Sequence, residues 1–380
     1  MPVVSLSPLH VSDGAFTVDV LLRLLNATLL NPSLSILLPL GALAHSTGLL
    51  AAPTTGEALE LLKALDWTAV LGQREVRWAV SVFAAGAILR LNEQISRAVR
   101  NNFARSRKAW DWKDEVVVVT GGAGGLGSEV VRRLATREVK VVVLDVAPLS
   151  ADAPSSVKFY PVNIASKEAV QQVAEKVVKE VGHPSVLVNM AGVVRAQSIL
   201  DLSPRDVDLT YDINVKSHYY TVQAFLPNMI KEGKGHVVTI ASSTAYHQAA
   251  TGVSYCSSKA AALSFHEGLT EELRYSYGPS ARSVRTSVIC PAHFKTGMFA
   301  GFASQIPACF APSLEVSTVA KLVEETVLSG ESQHIIEPFY AKCTPFGRGL
   351  STWMYAGILF FAKDAMGAVK ATKDKEAKKE

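Results

Sequence analysis

The sequence has few cysteines and little net charge, and both scarcities limit the classes of protein to which it can belong. Its four cysteines lie far apart, and none of them takes part in a CxxC motif or a Cys/His cluster. This argues against a disulfide framework and against a zinc site, so we predict no metal and a reducing compartment. The formal net charge is only +4, which gives no reason to expect nucleic acid as a partner.

The chain also lacks the composition of a disordered protein. Hydrophobic residues make up 48% of its 380 residues, which is enough for a sizeable core and excludes a low-complexity chain. A length of this order fits one large domain with extensions, or two domains. The patterns described below divide the chain into residues 1–110, 111–340 and 341–380.

Charged side chains are missing from Leu24 to Gly56, a run of 33 residues. A bilayer-spanning helix needs about 20 apolar residues, so the run is long enough, although Pro32 and Pro39 kink one helix or divide two. The basic stretch from Arg90 to Lys108 resembles the cytoplasmic flank of a membrane segment. We predict that residues 1–110 associate with a membrane; the alternative is a helical cap that packs on the main domain.

After residue 111, short β-branched runs alternate with helical patterns. Strands are predicted at Val116–Val119, Val141–Leu144, Phe159–Val162, Val186–Val188, Val237–Ile240, Ser287–Ile289 and Ile335–Ile336. Helices are predicted around Ser128–Arg137 and Lys167–Val181. Strands that are apolar throughout and separated by amphipathic helices predict an α/β domain, a doubly wound parallel sheet of the Rossmann type.

A glycine-rich run, Thr120 to Gly127, follows the first predicted strand. Glycines permit a sharp turn and a close approach of the backbone to a pyrophosphate, and a helix beginning near Ser128 directs its positive dipole end toward the phosphates. Because the run lies between a strand and a helix, as this motif requires, we predict a dinucleotide site rather than an ordinary tight turn.

Asp145 lies at the end of the second predicted strand, 18 residues after Gly127. A carboxylate there accepts hydrogen bonds from the adenosine ribose and repels a 2′-phosphate, and the glycine run contains no Lys or Arg to offset that repulsion. The sequence therefore predicts NAD(H) as the cofactor in preference to NADP(H). The alternative role for Asp145 is that of a turn residue at a strand end.

Tyr255 and Lys259 form a YxxxK pattern, which places both side chains on one face of a helix. An ammonium beside a phenol lowers the phenol pKa from about 10, so the tyrosine can exchange a proton with an alcohol or carbonyl near neutral pH. Ser242 lies at a strand end 13 residues earlier, where its hydroxyl can bind the same oxygen, and Asn214 follows the fourth strand. Taken singly, Ser242 and Asn214 are better explained as turn or packing residues.

Together these motifs resemble the short-chain dehydrogenase/reductase family over about Trp112 to Pro338. The motifs that carry the resemblance are TGGAGGLG at 120–127, Asp145, NMAG at 189–192, Asn214, Ser242, and Tyr255 with Lys259. The resemblance implies that Tyr255 is the general acid/base, that Lys259 lowers its pKa and binds the nicotinamide ribose, and that Ser242 orients the substrate. It also implies that Asn214 holds a proton-relay water.

The resemblance further implies a set of cofactor-binding residues. They are Gly121, Gly125, Leu126, Gly127, Asp145, Asn163, Ile164, Asn189, Ala191, Gly192, Tyr255, Lys259, Pro291 and Thr296. Pro291 and Thr296 resemble the pair that embraces the nicotinamide carboxamide, and Asn163 stands where the family usually has an Asp near adenine. Met190 replaces the usual Asn of NNAG, which affects a polar contact in the sheet but not the catalytic groups. Ala292 replaces the usual Gly after the proline, in the loop over the nicotinamide.

Within the family, the chain resembles a membrane-associated branch that includes epidermal retinol dehydrogenases and lipid-droplet 17-β-hydroxysteroid dehydrogenases, especially in fungal homologues. This resemblance implies an enzyme of the endoplasmic reticulum or lipid droplet whose catalytic domain faces the cytosol. It implies a lipophilic substrate such as a retinoid, a steroid or a long-chain alcohol, and a homodimer.

Two apolar segments bear on the substrate. The loop after the sixth strand contains Phe294, Met298, Phe299, Phe302, Ile306 and Phe310. We predict that it covers an apolar substrate through Phe294, Met298 and Phe299; the alternative is that these side chains cover the core. The run from Gly349 to Ala362 is either an interfacial helix or a helix docked on the domain or on a second subunit.

The sequence thus predicts an NAD(H)-dependent oxidoreductase for a lipophilic alcohol or ketone, in which hydride moves between a substrate carbon and nicotinamide while Tyr255 transfers the proton. Two other functions stay open. One is a non-catalytic dinucleotide-binding protein at a lipid surface, against which the joint presence of Ser242, Tyr255 and Lys259 speaks. The other is a soluble reductase of a biosynthetic pathway whose N-terminus is only a cap.

Overall fold

A computed structural model describes residues 17–47, 54, 55, 57, 63, 66–103, 109–302, 307, 309–360, 363 and 369. Parts of four predicted segments lie outside these residues: 48–53 and 56 of the uncharged run, 104–108 of the basic flank, Ile306, and 361–362 of the C-terminal run. The described residues form two compact units. One runs from Val18 to Val99, and the other contains Thr17 and the chain from Arg100 onward.

The N-terminal unit is helical. Its helices include α1 (Val18–Ala27), α2 (Pro32–Ser35), α3 (Leu37–Ser46), α4 (Trp67–Gly72) and α5 (Arg74–Arg100). Asn31 begins α2, because its side-chain oxygen accepts a hydrogen bond from the Ser33 N–H at 3.2 Å. Pro32 divides the uncharged run at the first position of α2, and Pro39 lies in the first turn of α3, where a missing N–H breaks no intrahelical bond.

The length and apolar composition of the described helices can be compared with what a membrane-spanning helix requires. None of them alone is both long and apolar enough to cross a bilayer. Val18–Ala27 and Pro32–Ser46, which are bent by 55° relative to each other, meet the requirements of length and composition only as a pair. Core helices of soluble proteins and signal sequences near an N-terminus have the same features.

The second unit is built on a seven-stranded parallel sheet with the strand order β3-β2-β1-β4-β5-β6-β7. The strands are β1 (Val116–Thr120), β2 (Lys140–Asp145), β3 (Lys158–Pro161), β4 (Val186–Asn189), β5 (Gly235–Ile240), β6 (Val284–Pro291) and β7 (His334–Glu337). The strand order reverses between β1 and β4, and crevices at such points hold ligands in open α/β sheets. The prediction of a doubly wound Rossmann-type sheet is confirmed.

Helices cover both faces of this sheet. They are α6 (Gly125–Ala135), α7 (Lys167–Glu180), α8 (Pro204–Tyr211), α9 (Ser217–Glu232), α10 (Val253–Tyr275) and α11 (Val316–Ser329). Successive residues of β1 point to opposite faces, so Val117 packs with α6 and α11 while Val118 packs with α7, α9 and α10. This double coverage is why the strands read as continuous apolar runs rather than alternating ones.

Helix α6 begins at Gly125, three residues before the predicted start near Ser128. Gly124 is its N-cap, so Gly125, Leu126 and Gly127 form the first turn. The N–H groups of a first turn have no intrahelical partner. The glycine run therefore supplies the anion-binding end of the helix itself, and not only the turn that leads to it.

Beyond β7 the chain adds helices but no strand within its described part. A 3-10 turn, Phe339–Cys343, leads to α12 (Thr344–Gly347) and α13 (Thr352–Phe360). The predicted C-terminal apolar run is thus a helix over the residues that the structure describes.

Candidate active site

A cavity of about 830 Å³ lies at the carboxyl ends of the strands. The glycine run after β1, the residues that follow β2, β4, β5 and β6, and the C-terminal segment all contribute to its wall. The structure brings seventeen of the predicted site residues to this wall. They are Gly121, Gly125, Leu126, Gly127, Asp145, Asn163, Ile164, Ala191, Gly192, Ser242, Tyr255, Lys259, Pro291, Phe294, Thr296, Met298 and Phe299.

Two glycines of the loop make room for backbone. Gly121 has a φ of +72°, and a Cβ at this position would lie 2.7 Å from the Ala191 Cα. A Cβ at Gly127 would lie 2.0 Å from the Gly121 carbonyl oxygen, so only glycine allows the helix to begin this close to the strand. Gly124 and Gly125, in contrast, would direct a Cβ into space with no atom within 4 Å. That clear space, beside the first turn of α6, fits a pyrophosphate.

Asp145 supports the glycine loop. Its carboxylate accepts hydrogen bonds from the N–H groups of Ala123 at 2.9 Å and Ala147 at 3.1 Å. The turn role is therefore observed, and the ribose role stays a prediction with which this geometry is compatible, because each carboxylate oxygen has a second lone pair and the residue lines the cavity. Asn163 is placed similarly, since its side-chain oxygen accepts from the Ala165 N–H at 3.1 Å while the residue lines the cavity.

Tyr255, Lys259 and Ser242 all line the cavity. Tyr255 and Lys259 lie on α10 one turn apart, and the Lys259 Nζ is 5.9 Å from the centroid of the tyrosine ring. Lys259 is buried and donates a hydrogen bond to the Ile240 carbonyl at 2.9 Å. Ser242 follows the end of β5, and its hydroxyl accepts from the Thr244 N–H at 3.2 Å and the Thr244 hydroxyl at 2.9 Å.

Burial, rather than the lysine charge, dominates the acidity of these groups. Desolvation raises the pKa of Tyr255 well above its ordinary value, while a hydrogen bond with the Ser242 hydroxyl lowers it. Desolvation also lowers the pKa of Lys259 to about 8. The predicted fall in the tyrosine pKa is therefore wrong for the chain by itself, because burial costs the phenolate its hydration.

Two predicted residues, Asn214 and Asn189, do not line the cavity. Asn214 is fully buried in a π-helical turn, where its amide donates to the Val193 carbonyl at 3.0 Å and the Ser258 hydroxyl at 2.9 Å. Its oxygen accepts from the Val193 N–H at 2.8 Å, so the side chain braces the segment after β4. Asn189 accepts from the Thr221 hydroxyl at 2.8 Å and ties β4 to α9. In this structure both side chains act as supports behind the cavity wall.

The residues around the predicted nicotinamide position fit that group. The Thr296 hydroxyl is buried and has no hydrogen-bond partner among the described residues, although it lies in the cavity wall. A buried hydroxyl without a partner is costly, so a ligand amide in the cavity would satisfy it. Gly192 lies against Lys259, because a Cβ at this position would be 3.6 Å from the lysine Nζ. The clear space at Gly124 and the unsatisfied Thr296 hydroxyl are thus both compatible with a bound dinucleotide.

Aromatic side chains form the wall beside Tyr255. The Phe299 ring meets the Tyr255 ring edge to face, with centroids 5.8 Å apart, and Phe302 stacks on His293 at 3.7 Å. Phe294 packs against Phe299 at 6.2 Å. These side chains pack on one another and also line the cavity, and their contact with a substrate stays a prediction. Phe310 does not belong to the wall and is exposed.

The C-terminal segment also lines the cavity, and sequence reasoning did not assign it to the site. Its contributing residues are Tyr340, Ala341, Cys343, Thr344, Gly347, Tyr355, Ile358 and Leu359. His247 and His293 were missed as well, although both follow strand ends, which is a usable signal. Burial lowers the pKa of His293 to about 4 and also lowers the pKa of His247, so both imidazoles are neutral at neutral pH. The cavity is therefore apolar and uncharged beside Tyr255, except at Lys259.

Known proteins resemble this chain over the second unit. A family model described as short chain dehydrogenase matches residues 115–306. The dehydrogenase RED2 of Cochliobolus heterostrophus is 38% identical over 221 residues, which cover 58% of this chain and 82% of that protein. Human epidermal retinol dehydrogenase 2 is 31% identical, with 64% of this chain and 83% of that protein covered. Rat estradiol 17-beta-dehydrogenase 11 is also 31% identical, covering 62% and 79%.

Solved structures share the fold. A short chain dehydrogenase from Burkholderia cenocepacia in complex with NADP has a TM-score of 0.54 at 23% identity and covers 65% of this chain and 98% of its own. A 3-ketoacyl-(acyl-carrier-protein) reductase from Brucella melitensis complexed with NADH has a TM-score of 0.53 at 19% identity, covering 59% and 96%. Together with the family match, the named relatives confirm the resemblance drawn from the motifs. The chain belongs to the short-chain dehydrogenase/reductase family and is an NAD(P)-dependent oxidoreductase.

Proposed function

We propose that this protein transfers hydride between NAD(H) and a lipophilic alcohol or ketone, such as a retinoid, a steroid or a long-chain alcohol. The observation that carries the proposal is the composition of the cavity around Tyr255. Two hydroxyl groups, those of Tyr255 and Ser242, lie beside a wall of apolar and aromatic side chains from the loop after β6 and from the C-terminal segment. A substrate with one oxygen function on a large apolar body matches both parts.

The chemistry assigned to the chain is proton transfer and orientation. Tyr255 exchanges a proton with the substrate oxygen, and Ser242 donates a hydrogen bond to the same atom. The raised pKa keeps Tyr255 protonated at neutral pH, which suits the donor role in carbonyl reduction. Lys259, held by the Ile240 carbonyl, places a positive charge that favours the phenolate when the proton leaves. A bound nicotinamide supplies the hydride donor or acceptor.

The proposal names NAD(H) rather than NADP(H) because of Asp145. The Asp145→Ala substitution removes the carboxylate that would accept from the ribose and repel a 2′-phosphate, so we expect the ratio of kcat/KM for NAD to that for NADP to fall by about 10-fold or more, the effect of a lost charge-assisted hydrogen bond. Asp145→Asn is the matched control for loop support. Its amide oxygen can still accept the hydrogen bond from the Ala123 N–H, while the negative charge is removed. A wild-type preference for NADPH would contradict the proposal.

The substrate class is tested with the purified full-length protein in mild detergent. Retinol, a hydroxysteroid and a long-chain fatty alcohol are offered with NAD, and a polar polyol serves as the control substrate. We expect kcat/KM for at least one lipophilic alcohol to exceed that for the polyol by ~10²-fold, since each buried CH₂ contributes about 0.8 kcal/mol. A polyol that reacts as well as the lipophilic alcohols would favour the soluble biosynthetic reductase instead.

We also propose a place and an assembly for the enzyme. Residues 1–110 would attach it to the endoplasmic reticulum or a lipid droplet, residues 111–340 would form the NAD-binding domain in the cytosol, and residues 341–380 would complete the substrate site. The uncharged run and the basic flank support the first part. A homodimer is proposed from the family resemblance alone, and sedimentation in detergent tests it.

A further inference from the structure

Helix α13 has an unusual surface for a helix at the edge of a soluble domain. Its nine residues, Thr352–Phe360, contain no charged side chain, and only Tyr355 and Leu359 are partly covered. Trp353 is 76% exposed, and Phe346, in the preceding α12, is 75% exposed. A helix that is apolar around its whole circumference is normally buried or lies in a membrane. Large exposed apolar patches mark interaction sites.

The two faces of α13 have different surroundings. Tyr355, Ile358 and Leu359 line the cavity. Trp353 and Gly357 lie one turn apart on the opposite face. A Cβ at Gly357 would meet no atom within 4 Å, so this outer face is clear of the domain. One short helix therefore has an apolar face toward the cavity and an apolar face toward the solvent.

The helix is held in this position by the catalytic loop. Arg348, between α12 and α13, donates from Nε to the Tyr246 carbonyl and from Nη2 to the Ala245 carbonyl, both at 3.0 Å. Ala245 and Tyr246 lie three and four residues after the predicted catalytic Ser242, in and just after the 3-10 turn that Ser242 caps. Gly347 packs on the ring of Tyr355, because a Cβ there would lie 3.3 Å from the ring. The exposed apolar face is thus a fixed feature next to the cavity.

The stretch of chain that contains α13, between Glu337 and Asp364, carries charge of one sign. Between Pro338 and Lys363 the chain has three basic residues, Lys342, Arg348 and Lys363, and no acidic residue. Exposed aromatic side chains among basic residues match the interface of an anionic lipid leaflet. A second copy of the chain is a poorer partner, because a twofold contact would bring this basic patch against itself.

We propose that α13 and Phe346 rest in the headgroup region of an anionic lipid surface, with Trp353 on the lipid side. The inner face of the helix would then be the wall past which a lipid-dissolved substrate reaches the cavity, and this second part rests on the proposed function. The contact differs from the predicted attachment through residues 1–110, because it belongs to the catalytic unit and fixes how the cavity meets the lipid.

The test reads the environment of α13 directly. Full-length protein with the exposed cysteines removed (Cys309→Ser and Cys343→Ser) receives Gly357→Cys, labelled with an environment-sensitive fluorophore; the other two cysteines are buried. Vesicles of phosphatidylcholine and phosphatidylserine with brominated acyl chains are then added. We expect a blue shift and quenching of the label. The matched control is Gly268→Cys in α10, another exposed helical glycine with no atom within 4 Å of its Cβ, and its label should not respond.

Two further measurements make the outcome decisive. Trp353→Gln should shift the docking of α13 by about 10-fold toward the undocked state, because burying an aromatic side chain is worth at least that factor. A label at position 357 that ignores vesicles while the protein itself sediments with them would overturn the proposal. A blue shift that depends on protein concentration without lipid would also overturn it, in favour of a second copy.

The substrate part is measured separately, so its failure can be distinguished from failure of the proposed function. Trp353→Gln should lower kcat/KM for retinol carried in vesicles by about 10-fold and leave kcat/KM for a short water-soluble alcohol unchanged. Equal losses on both substrates would contradict the entry route. If no alcohol reacts with the wild-type enzyme, the proposed function fails, and the fluorescence result on α13 still decides the lipid contact.

Discussion

At the scale of single residues, burial controls the two groups that share one face of α10. The phenol of Tyr255 and the ammonium of Lys259 both lose hydration, so each is shifted toward its neutral form: the pKa of Tyr255 rises and the pKa of Lys259 falls to about 8. At neutral pH the phenol is therefore neutral while the lysine is still largely protonated, and loss of the phenol proton leaves a phenolate beside a buried ammonium. This makes the hydrogen bonds to Ser242 and the Ile240 carbonyl essential to the geometry.

The Tyr255→Phe substitution keeps the ring contact with Phe299 and removes the proton. Turnover should fall by at least ~10²-fold, the low end for general acid/base catalysis, while NAD affinity stays near the wild-type value. Steady-state kinetics and a cofactor titration measure the two effects. Tyr211→Phe is the matched control. It also removes a tyrosine hydroxyl that makes a hydrogen bond, in this case to the Ser257 hydroxyl at 2.9 Å, but Tyr211 does not line the cavity. Normal turnover of Tyr255→Phe would refute the assignment.

The lowered pKa of Lys259 predicts a pH-dependent stability. Between the folded value of about 8 and the ordinary value of 10.5, the unfolded chain binds a proton that the folded chain has lost, so the free energy of unfolding rises with pH in this window. Below about pH 8 the lysine is protonated in both states, so the burial of its ammonium lowers the free energy of unfolding by an amount that no longer changes with pH. Relative to Lys259→Met, the wild type should gain about 1.4 kcal/mol per pH unit within the window. Urea titrations across it measure the difference, and a constant difference would contradict the prediction.

Residue types and spacing were sufficient to predict the central site but not the supporting roles. Tyr255, Lys259 and Ser242 carry their chemistry in the side chain and follow recognisable elements, so they could be placed. Asn214 and Asn189 were predicted at the site because their motifs are local, while their hydrogen bonds run to Val193, Ser258 and Thr221, which are distant in sequence. A one-dimensional pattern does not reveal which side of a wall an amide occupies.

At the scale of elements, the glycine run joins β1 to α6 with no spare volume on one side and clear space on the other. The strands themselves were predictable because β-branched runs buried on both faces leave a continuous apolar signal. The start of α6 was predicted three residues late, because glycines are poor helix formers and the tight packing of Gly127 on Gly121 overrides that preference.

The space around Gly127 and the space around Gly124 differ, and substitutions at the two positions should therefore separate an effect on folding from an effect on cofactor binding. Gly127→Ala places a methyl group 2.0 Å from the Gly121 carbonyl oxygen, so we expect lower stability together with loss of NAD binding. Gly124→Ala meets no atom within 4 Å and has an ordinary extended backbone, so it should keep the stability and weaken NAD binding by about 10-fold, since its methyl group occupies the space for the phosphates. Thermal unfolding and cofactor titration measure both. Equal effects of the two substitutions would contradict this division.

The contribution of α12 and α13 to the cavity was not predictable from their own residues. Their apolar pattern fitted an interfacial helix and a docked helix equally well, and the structure shows that one face of α13 does line the cavity. What decides the position is Arg348, which binds carbonyls about a hundred residues earlier in the chain. Contacts to backbone carbonyls leave no signature in the sequence of either partner.

At the scale of the whole molecule, the chain combines a helical N-terminal unit with a dinucleotide-binding unit. The second unit begins before the predicted linker ends. Asn101 accepts from the Ser332 N–H at 2.9 Å, and the Asn101 carbonyl accepts from Arg285 at 2.8 Å. A truncation that preserves the second unit therefore has to keep these residues.

Removal of residues 1–99 should release the protein from membranes under alkaline carbonate, because the uncharged run is then absent, and should leave NAD binding intact. The full-length chain should resist the same extraction. Removal of residues 1–110 is the informative comparison, since it also deletes the Asn101 contacts and should lower the thermal stability. Complete extraction of the full-length chain by carbonate would show that residues 1–110 are a cap or a surface-bound segment.

The described residues after β7 form no strand, and this has a consequence for how the enzyme can diversify. The described residues beyond Glu337 add no strand to the sheet, and yet eight of them line the cavity that also contains Tyr255. Under the proposed function we therefore expect changes in this stretch to alter which substrates are accepted without changing the cofactor loop or the proposed acid/base pair. For protein engineering, residues 338–360 are a segment that could be exchanged between relatives. We expect such exchanges to change the substrate while the cofactor-binding residues and the proposed catalytic residues stay the same.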